Sequence, residues 1–333
     1  MKRLLRLFFA LVLLLIVAGV TMVYALPRWN AVIPADGVTL TVVRGASLSR
    51  VAAELQKLGV APSWVVSAAG RIRGSGNKLR AGQYLLNAPQ TVEEILEIIE
   101  SGAAIQVPVT VVEGSKQSEL FALLKTLSTE AKQFAPESVK PPNQWAQLVG
   151  AETANLEGYL FPDTYFVAPG SNAATLLSTM HKRMRQELAL AWEQRAPDTP
   201  LKSPYEALIL ASIIEKETAR EADRPLVGSV FINRMNVGMR LQTDPTVIYG
   251  LGEAFDGNLR KIHLQTDTPY NSYTRDGLPP TPIAYPGRAS LRAAVNPPKS
   301  EFLYFVARGD GSSEFSRNLA EHNRAVAKYQ LGR

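Results

Sequence analysis

"ILASIIEKETAR", residues 209–220, is an apolar run that ends in two glutamates, Glu215 and Glu217. Ser203 is a favourable N-cap residue and Pro204 suits the first helical position, so we predict a helix over 204–220. An apolar helix of this kind belongs in a protein core, where ionised carboxylates are costly. The two glutamates therefore need either partners or a chemical purpose.

Helical phase separates Glu215 from Glu217. At about 100° per residue, Glu217 lies one turn beyond Ile213 and Ile214 and two turns beyond Leu210, so it continues the apolar stripe. Glu215 lies on a different face, where we expect it to be solvated or paired locally. A carboxyl group in apolar surroundings has a raised pKa, which suits a general acid at neutral pH. Glu217 is therefore the candidate catalyst.

A structural role is the alternative for Glu217, which could pair with Arg220 or Arg234 at the rim of the core. Other chemistries have less support. The chain has no cysteine, which excludes disulfides, thiolate catalysis and cysteine metal sites. It has no P-loop, H-E-x-x-H or G-x-S-x-G motif, and its three histidines lack metal-ligand spacing. We predict neither a metal nor a cofactor.

Polar and aromatic side chains in turn-rich segments could line a cleft beside the candidate acid. We predict as substrate-binding residues Asp163, Gln242, Asp244, Asn271, Tyr273 and Asn323. Each has a structural alternative, because Asp-Pro and Asn-Ser pairs commonly begin turns. Together, amides and aromatic rings in loops suit a sugar-binding groove.

The first 30 residues predict a membrane anchor. Three basic residues within positions 1–6 precede the uncharged stretch 7–26, which as a helix spans about 30 Å, the thickness of the hydrocarbon core. Only Arg28 follows closely, so we predict a cytoplasmic tail at 1–6 and a single transmembrane helix at 7–26. The alternative is a cleaved signal peptide ending near Ala25. Either way, residues 30–333 should lie outside the cytoplasm.

A small module follows a predicted linker at 27–37. Its order is strand, helix, helix, strand, with Ser47 as an N-cap, and we place its limits at 38–104. Thr91 and Glu94 form a capping box for the helix that closes this region. The larger remainder, 105–333, is predicted to be the catalytic domain.

The predicted catalytic domain is mixed α+β. An amphipathic helix is expected over 173–195 and another from Asp223 to about Met235. Residues 241–298 are rich in Gly, Pro, Asn, Asp and Thr, and we predict long ordered loops there. A last strand and turn are expected over 301–311. The predicted fold class is therefore α+β, with an N-terminal transmembrane helix, a small β-α-α-β module and a larger mixed domain.

Charge and composition are those of a globular protein beside an anionic surface. Hydrophobic residues make up 46% of the 333 residues, charged residues make up 20%, and 36 Lys and Arg face 30 Asp and Glu. No dense basic run with interleaved aromatics occurs, so we do not expect a nucleic-acid partner. Anionic lipid or cell-wall polymer is the better expectation.

Five runs resemble the endolytic murein transglycosylase family, also called YceG-like, and the resemblance covers essentially the whole chain. They are "EGYLFPDTY" (157–165), "ASIIEKETA" (211–219), "VFINRMNVGMRLQTDPTVIYGLG" (230–252), "YNSYTRDGLPPTPIAYPG" (270–287) and "YFVARGDGSSEFSRNLAEHN" (304–323). The run "RLQTDPTVIYG" is highly specific. The small N-terminal module is similar to the LysM-like, glycan-binding subdomain of that family.

The resemblance implies a bacterial lytic transglycosylase, a carbon–oxygen lyase. Such an enzyme cleaves the β-1,4 bond between N-acetylmuramic acid and N-acetylglucosamine within peptidoglycan strands and leaves 1,6-anhydro-N-acetylmuramic acid ends. The family's catalytic residue is the second Glu of "EKE", which is Glu217 here. The resemblance also implies a single-pass protein of the inner membrane with a periplasmic catalytic domain. It further implies a role in ending nascent strands beside penicillin-binding synthases.

Two alternatives remain at the level of the sequence. One is a muramidase-type hydrolase, in which Asp163 or Asp244 supplies the second carboxylate that ordinary glycosidases need. The other is a noncatalytic wall-binding scaffold that uses the LysM-like module and the membrane anchor.

Overall fold

The computed structural model describes residues 2–43, 45–151, 153 and 155–332, and side chains from residue 7 onward. The basic side chains predicted to flank the apolar stretch, those of Lys2, Arg3 and Arg6, therefore lie outside the described residues. The chain forms two compact units, one of Met1–Val107 with Phe166–Pro169 and one of Pro108–Tyr165 with Gly170–Arg333. The fold is mixed α+β, as predicted.

The first unit begins with the apolar helix α1 (Lys2–Ala25). Its segment Leu7–Ala25 has a mean hydropathy of 2.7 and contains no charged residue. Within the described residues, this is the one helix that is long and apolar enough to cross a membrane. The predicted anchor segment is thus helical over nearly its whole length.

The module after α1 has the predicted order of strand, helix, helix and strand. Its strands pair antiparallel, from Val38 opposite Leu86 to Val42 opposite Gly82. The elements are β1 (Val38–Val42), α2 (Leu48–Lys57), α3 (Ser63–Arg73), β2 (Gly82–Leu86) and α4 (Val92–Ser101). One apolar core joins them, with large buried side chains from every element.

Local capping explains where the helices of this module begin. The Ser47 hydroxyl accepts a hydrogen bond from the Arg50 amide and caps α2. Thr91 and Glu94 form the predicted capping box of α4, in which the Thr91 amide donates to Glu94 at 2.7 Å. Both caps satisfy amides that the helix cannot pair internally, so they fix the helix starts.

The second unit is mainly helical. Its helices are α5 (Gln117–Thr129), α6 (Trp145–Val149), α7 (Ala173–Glu193), α8 (Pro204–Glu217), α9 (Arg224–Asn236), α10 (Asp244–Leu251), α11 (Lys261–Gln265), α12 (Arg288–Val295) and α13 (Leu319–Tyr329). Strand β3 (Val107–Thr110) pairs with β4 (Thr164–Val167), and β5 (Tyr304–Ala307) pairs antiparallel with β6 (Ser313–Ser316).

Helix α8 is the centre of this unit. All residues from Ala207 to Ile214 are buried, and α7, α9, α10 and α12 pack around the helix. The predicted cap is present, because the Ser203 hydroxyl accepts from the Glu206 amide at 3.2 Å. Because the middle of α8 is buried on all sides, Glu215 and Glu217 at its end lie next to the core.

The structure departs from prediction in segments rich in Gly and Pro. Residues 241–298 are not only loops, because they contain α10, α11 and α12. The C-terminal region adds β6 and α13 beyond the predicted strand. Helix α8 ends at Glu217, earlier than the predicted 220, because Thr218 is extended. Proline at the first turn of α10 starts a helix there, where sequence patterning suggested a turn.

The close approach of α9 to α12 yields a stability prediction. A Cβ atom at Gly228 would collide with the backbone carbonyl of Ala293, which cannot move without displacing α12. We expect Gly228→Ala to lower the free energy of unfolding by about 2 kcal/mol or more, measured by urea denaturation. The control is Gly76→Ala, whose Cβ would meet open space, with an expected change within about 0.5 kcal/mol. Equal stability of the two variants would contradict the close approach.

Candidate active site

The three residues that end α8 point to three different parts of the second unit. Glu215 faces the start of α9 and α12, while Lys216 donates from Nζ to the Gly114 carbonyl oxygen at 3.1 Å. Glu217 turns towards the residue that precedes α10. The end of one buried helix therefore places two carboxylates in separate surroundings.

Glu215 is a structural carboxylate, and of the two expectations for it, solvation or pairing, the structure shows pairing. Its side chain is only 5% exposed and forms an ion pair with Arg224 at 3.3 Å. Its other oxygen accepts from the Gly287 amide, at the N-terminus of α12, at 2.8 Å. The physical reason is that α8 is buried from Ala207 to Ile214 and that Lys216 takes the exposed position of its last turn, which leaves the Glu215 side chain facing the protein. Glu215 instead ties α8 to α9 and α12.

Glu217 is the perturbed carboxylate. The Thr243 hydroxyl donates a short hydrogen bond to Glu217 Oε1. Burial raises the pKa of Glu217 to about 7, and the nearby Asp244 charge adds to the rise. The Thr243 hydrogen bond and the Arg234 charge lower the pKa but do not cancel the effect of burial. At neutral pH, both protonation states of this group are populated.

Arg234 is a buried cation whose donors are committed to backbone carbonyls. Its Nε donates to the Leu303 oxygen at 2.7 Å, and its Nη1 donates to the Leu241 oxygen at 2.5 Å. The guanidinium lies over the Tyr304 ring, 5.3 Å from the centroid. Within the described residues, no ion pair joins it to Glu217, so the predicted pairing alternative is not observed. Its positive charge lowers the pKa of Glu217 without a direct contact between the two groups.

A second carboxylate, Asp244, lies beside the candidate acid. Asp244 is exposed and accepts a hydrogen bond from the Tyr273 hydroxyl at 2.6 Å. Burial and the Asp244 carboxylate raise the pKa of Tyr273, so its phenol stays protonated and donates. The charge of Glu217 also raises the pKa of Tyr273. Two of the predicted binding residues therefore meet at the catalytic candidate.

The loop before α10 is held in an uncommon backbone conformation. Gln242 is exposed and has a φ of 48°, in the left-handed region that non-glycine residues rarely adopt. Its amide donates to the Ser272 carbonyl at 3.1 Å, and the Thr243 amide donates to the Ser272 hydroxyl at 3.0 Å. These bonds fix the direction of the Thr243 hydroxyl towards Glu217. Strain maintained in this way is typical of functional sites.

Asn271 lies behind this loop and is fully buried. Its Nδ2 donates to the carbonyls of His263, Leu264 and Thr266, and its Oδ1 accepts from the Tyr273 amide at 2.9 Å. All of these contacts are internal, so the side chain orders the loop that carries Tyr273.

Asp163 and Asn323, the remaining predicted binding residues, lie further from the acid. Asp163 is exposed, and its Oδ1 accepts from the Thr164 amide at 2.8 Å. The described contacts do not join it to Glu217. Asn323 is exposed on α13, one residue after His322, whose ring stacks on Tyr304 at 5.1 Å. Asn323 is therefore linked to the site indirectly, because its neighbour His322 stacks on Tyr304, and Tyr304 lies under the Arg234 guanidinium.

Another carboxyl group with a raised pKa has partners that Glu217 does not share. Glu157 is 6% exposed, and burial raises its pKa to about 7. It accepts from the Gln117 amide at 2.9 Å and from the Tyr249 hydroxyl at 3.2 Å. Glu157 and Glu217 therefore have similar pKa values but different hydrogen-bond partners.

Comparison with known proteins places the chain in a family. The family model described as YceG-like family matches residues 40–328. The chain belongs to the YceG-like family. A Bacillus subtilis (strain 168) protein called endolytic murein transglycosylase is 33% identical over 307 residues, which are 88% of this chain and 84% of that relative. The resemblance stated from the five sequence runs is confirmed.

Other relatives agree on the YceG-like family. A Streptococcus pneumoniae (strain R6) protein of the same name is 27% identical over 88% of this chain, which spans 58% of that longer relative. The crystal structure of a YceG-like protein from Listeria monocytogenes has a TM-score of 0.53 and 28% identity. That match covers 87% of this chain and 99% of the Listeria chain.

Sequence patterning missed several members of this YceG-like site. Spacing and helical phase do not indicate Thr243, Tyr304 or His322, and they indicate Arg234 only as an ion-pair partner. All four lie within the runs that carry the family resemblance, which was the available signal. Hydroxyl and aromatic side chains carry no charge pattern, so spacing alone could not select them. Among the described residues no group of three or more acidic or histidine side chains could hold a metal ion.

The hydrogen bond from Thr243 generates a prediction about pH dependence. Thr243→Val keeps the shape of the side chain but removes the donor that stabilises the Glu217 carboxylate, so the pKa of Glu217 should rise above about 7. The pH at which activity declines on the alkaline side should rise with it, as measured by kcat/KM across pH. Thr266→Val removes an exposed hydroxyl that bonds Ile262 and should leave the profile unchanged.

Asp244→Asn should have the opposite effect. Removing the Asp244 charge removes one cause of the raised pKa of Glu217, so the alkaline limb should move to lower pH. Direct titration of the Glu217 carboxyl carbon by NMR checks both directions. Shifts of the same sign in Thr243→Val and Asp244→Asn would contradict this description of the site.

Proposed function

We propose that this chain is a membrane-anchored endolytic lytic transglycosylase that acts on peptidoglycan, with Glu217 as its single acid and base. The observation that carries the proposal is a buried carboxyl group with a pKa of about 7 that is hydrogen-bonded by a hydroxyl and has no ion-pair partner among the described residues. Family membership and the names of the relatives support the substrate class.

One carboxyl group is sufficient for this reaction. Protonated Glu217 gives its proton to the glycosidic oxygen, and the bond from that oxygen to C1 of N-acetylmuramic acid breaks. The Glu217 carboxylate then takes the proton from the C6 hydroxyl of the same sugar as the C6 oxygen bonds to C1. The products are a free N-acetylglucosamine 4-hydroxyl and a 1,6-anhydro end, and no water is consumed. A pKa near the working pH serves both steps.

Asp244 supports this cycle without being a nucleophile. Its negative charge raises the pKa of Glu217 and so favours the protonated state that begins the reaction. An anion at this position also stabilises the positive charge that develops at C1 of the sugar. One oxygen of Asp244 is held by the Tyr273 hydroxyl, which fixes its orientation.

A muramidase-type hydrolase is the second candidate, and the proximity of Asp244 to Glu217 favours it. In that case Asp244 would act as the nucleophile or would activate water. The two reactions differ in their products, because hydrolysis leaves a reducing end and the transglycosylase leaves an anhydro end.

The predicted binding residues divide by their placement. We propose that Gln242, Asp244 and Tyr273 contact the sugars beside the scissile bond, because Gln242 and Asp244 flank Thr243, the hydrogen-bond partner of Glu217, and are exposed, and Tyr273 is bonded to Asp244. Asn271 positions Tyr273 from behind. Asp163 and Asn323, exposed and more distant, would contact the strand beyond the cleaved bond.

The N-terminal region supports a location at the membrane. We propose that Leu7–Ala25 spans the bacterial inner membrane with its N-terminus in the cytoplasm, so that the rest of the chain is periplasmic. The β-α-α-β module would bind glycan as a LysM-like domain. An enzyme held there would cut nascent strands beside penicillin-binding synthases and so end their elongation.

Product analysis tests the proposed reaction. Purified glycan strands incubated with the wild-type protein should yield 1,6-anhydro-N-acetylmuramic acid ends, detected by mass spectrometry. Glu217→Gln cannot transfer the proton and should lose activity by about a hundredfold or more. Reducing-end products that depend equally on Glu217 and Asp244 would establish the hydrolase instead.

Glu157→Gln is the matched control for Glu217→Gln. It also removes a buried carboxyl with a pKa of about 7, but its oxygens are bonded to Gln117 and Tyr249 rather than to Thr243. We expect it to retain most of the activity. If Glu217→Gln stays folded, as checked by circular dichroism, and has undiminished activity, Glu217 is not the catalyst. A wild-type protein that binds strands but releases no product would indicate a scaffold.

A further inference from the structure

The segment that follows α1 is attached to the small module rather than free of it. Leu26 is 5% exposed and belongs to the apolar core of the module. The Trp29 amide donates to the Leu26 carbonyl at 3.2 Å, which closes a turn. The Trp29 carbonyl accepts from the Val92 amide at 2.9 Å, at the start of α4. The predicted linker at 27–37 is therefore docked on the module from its first residues.

This docking creates an exposed aromatic pair beside the end of the apolar helix. The side chain of Trp29 is 42% exposed and that of Trp64, at the start of α3, is 57% exposed. Their ring centroids are 6.1 Å apart with an interplanar angle of 74°. Val32 is 71% exposed, and its amide donates to the Val60 carbonyl. Large apolar side chains are costly to expose in water, so a cluster of them indicates a contact surface.

The distance of this pair from the apolar helix fits the headgroup layer of a bilayer. Segment Leu7–Ala25 is about 28 Å long as a helix and matches the hydrocarbon core. The turn from Leu26 keeps the Trp29 Cα within about 7 Å of the Leu26 Cα. The headgroup layer on each side is roughly 5–7 Å thick, and Trp is the residue enriched there.

We propose that Trp29 and Trp64 form a membrane-surface contact that rests the small module on the outer leaflet of the bilayer crossed by α1. The inference relies on the membrane anchoring proposed above. The indole rings would lie among the lipid headgroups with their N–H groups towards water and phosphate.

Glycan is the competing ligand for exposed tryptophans, and the geometry favours lipid. The two ring planes are 74° apart, so the pair does not form one flat platform on which successive sugar rings of a strand could stack. The pair also follows immediately from the membrane-spanning segment through a closed turn, which leaves little room for a glycan strand between it and the bilayer. The contact would hold the module in one orientation at the membrane surface.

Quenching of tryptophan emission by brominated lipids tests the contact. The full chain is reconstituted in vesicles whose lipids carry bromine on the upper part of the acyl chains. We expect part of the emission to be quenched, and we expect Trp64→Phe and Trp29→Phe each to remove part of that quenched component. The matched control is Trp192→Phe in α7 of the second unit, which should leave the quenched component unchanged.

A reporter in α1 separates this inference from the anchoring itself. Ile16→Trp, at the middle of Leu7–Ala25, should be quenched by lipids brominated deep in the acyl chains if α1 is inserted. Quenching of that reporter together with an unchanged quenched component in Trp64→Phe would overturn the surface contact and leave the anchor intact. An unquenched reporter would overturn both. A change in Trp64 emission caused by soluble glycan strands, and not by vesicles, would assign the pair to glycan.

Discussion

The burial of α8 on all sides is the constraint on which the site depends. Because α8 is buried on all sides from Ala207 to Ile214, the two carboxylates that follow in its last turn lie at the edge of the core and each require compensation inside the protein. Glu215 obtains an ion pair from Arg224 and an amide from Gly287. Glu217 obtains the Thr243 hydroxyl, which stabilises a negative charge less than a cation in direct contact would. One structural carboxylate and one reactive carboxylate thus result from a difference in partners at a shared helix end.

A raised pKa alone does not identify an active site in this protein. Glu157 and Glu217 both have a pKa of about 7, and in both cases burial is the main cause. Glu157, however, is enclosed, with the Gln117 amide and the Tyr249 hydroxyl on its oxygens. Glu217 is more exposed than Glu157, and its hydrogen-bond partner Thr243 lies between the exposed residues Gln242 and Asp244. A proton can be exchanged with a polymer only where the polymer can reach, so accessibility selects between two groups that titrate alike.

The sequence predicted those features that arise from local chemistry. The caps at Ser47, Thr91 and Ser203 are present because each follows from one side chain and the amides of its own helix. Helical phase selected Glu217, but its premise of one buried stripe was incomplete, since α8 is buried all round. The helices within 241–298 were missed because their Pro and Gly content is that of loops and their stability comes from packing on α8. Contacts between distant segments, such as the hydroxyl donor to Glu217, have no local signature at all.

In the proposed reaction, the placement of Arg234 would let the single carboxyl group of Glu217 serve as both acid and base. A cation in direct contact would hold Glu217 ionised and unable to donate, whereas a site without any cation would leave it protonated and unable to accept. The guanidinium donors are instead bound to the Leu241 and Leu303 carbonyls, so the cation influences Glu217 without pairing with it. When the pKa of a group equals the pH, its two forms have the same free energy, and each pKa unit of departure costs about 1.4 kcal/mol. The backbone carbonyls that immobilise Arg234 thereby keep both the protonated and the ionised form of Glu217 accessible. The loops that carry these carbonyls therefore affect the pKa of Glu217 in addition to burying it.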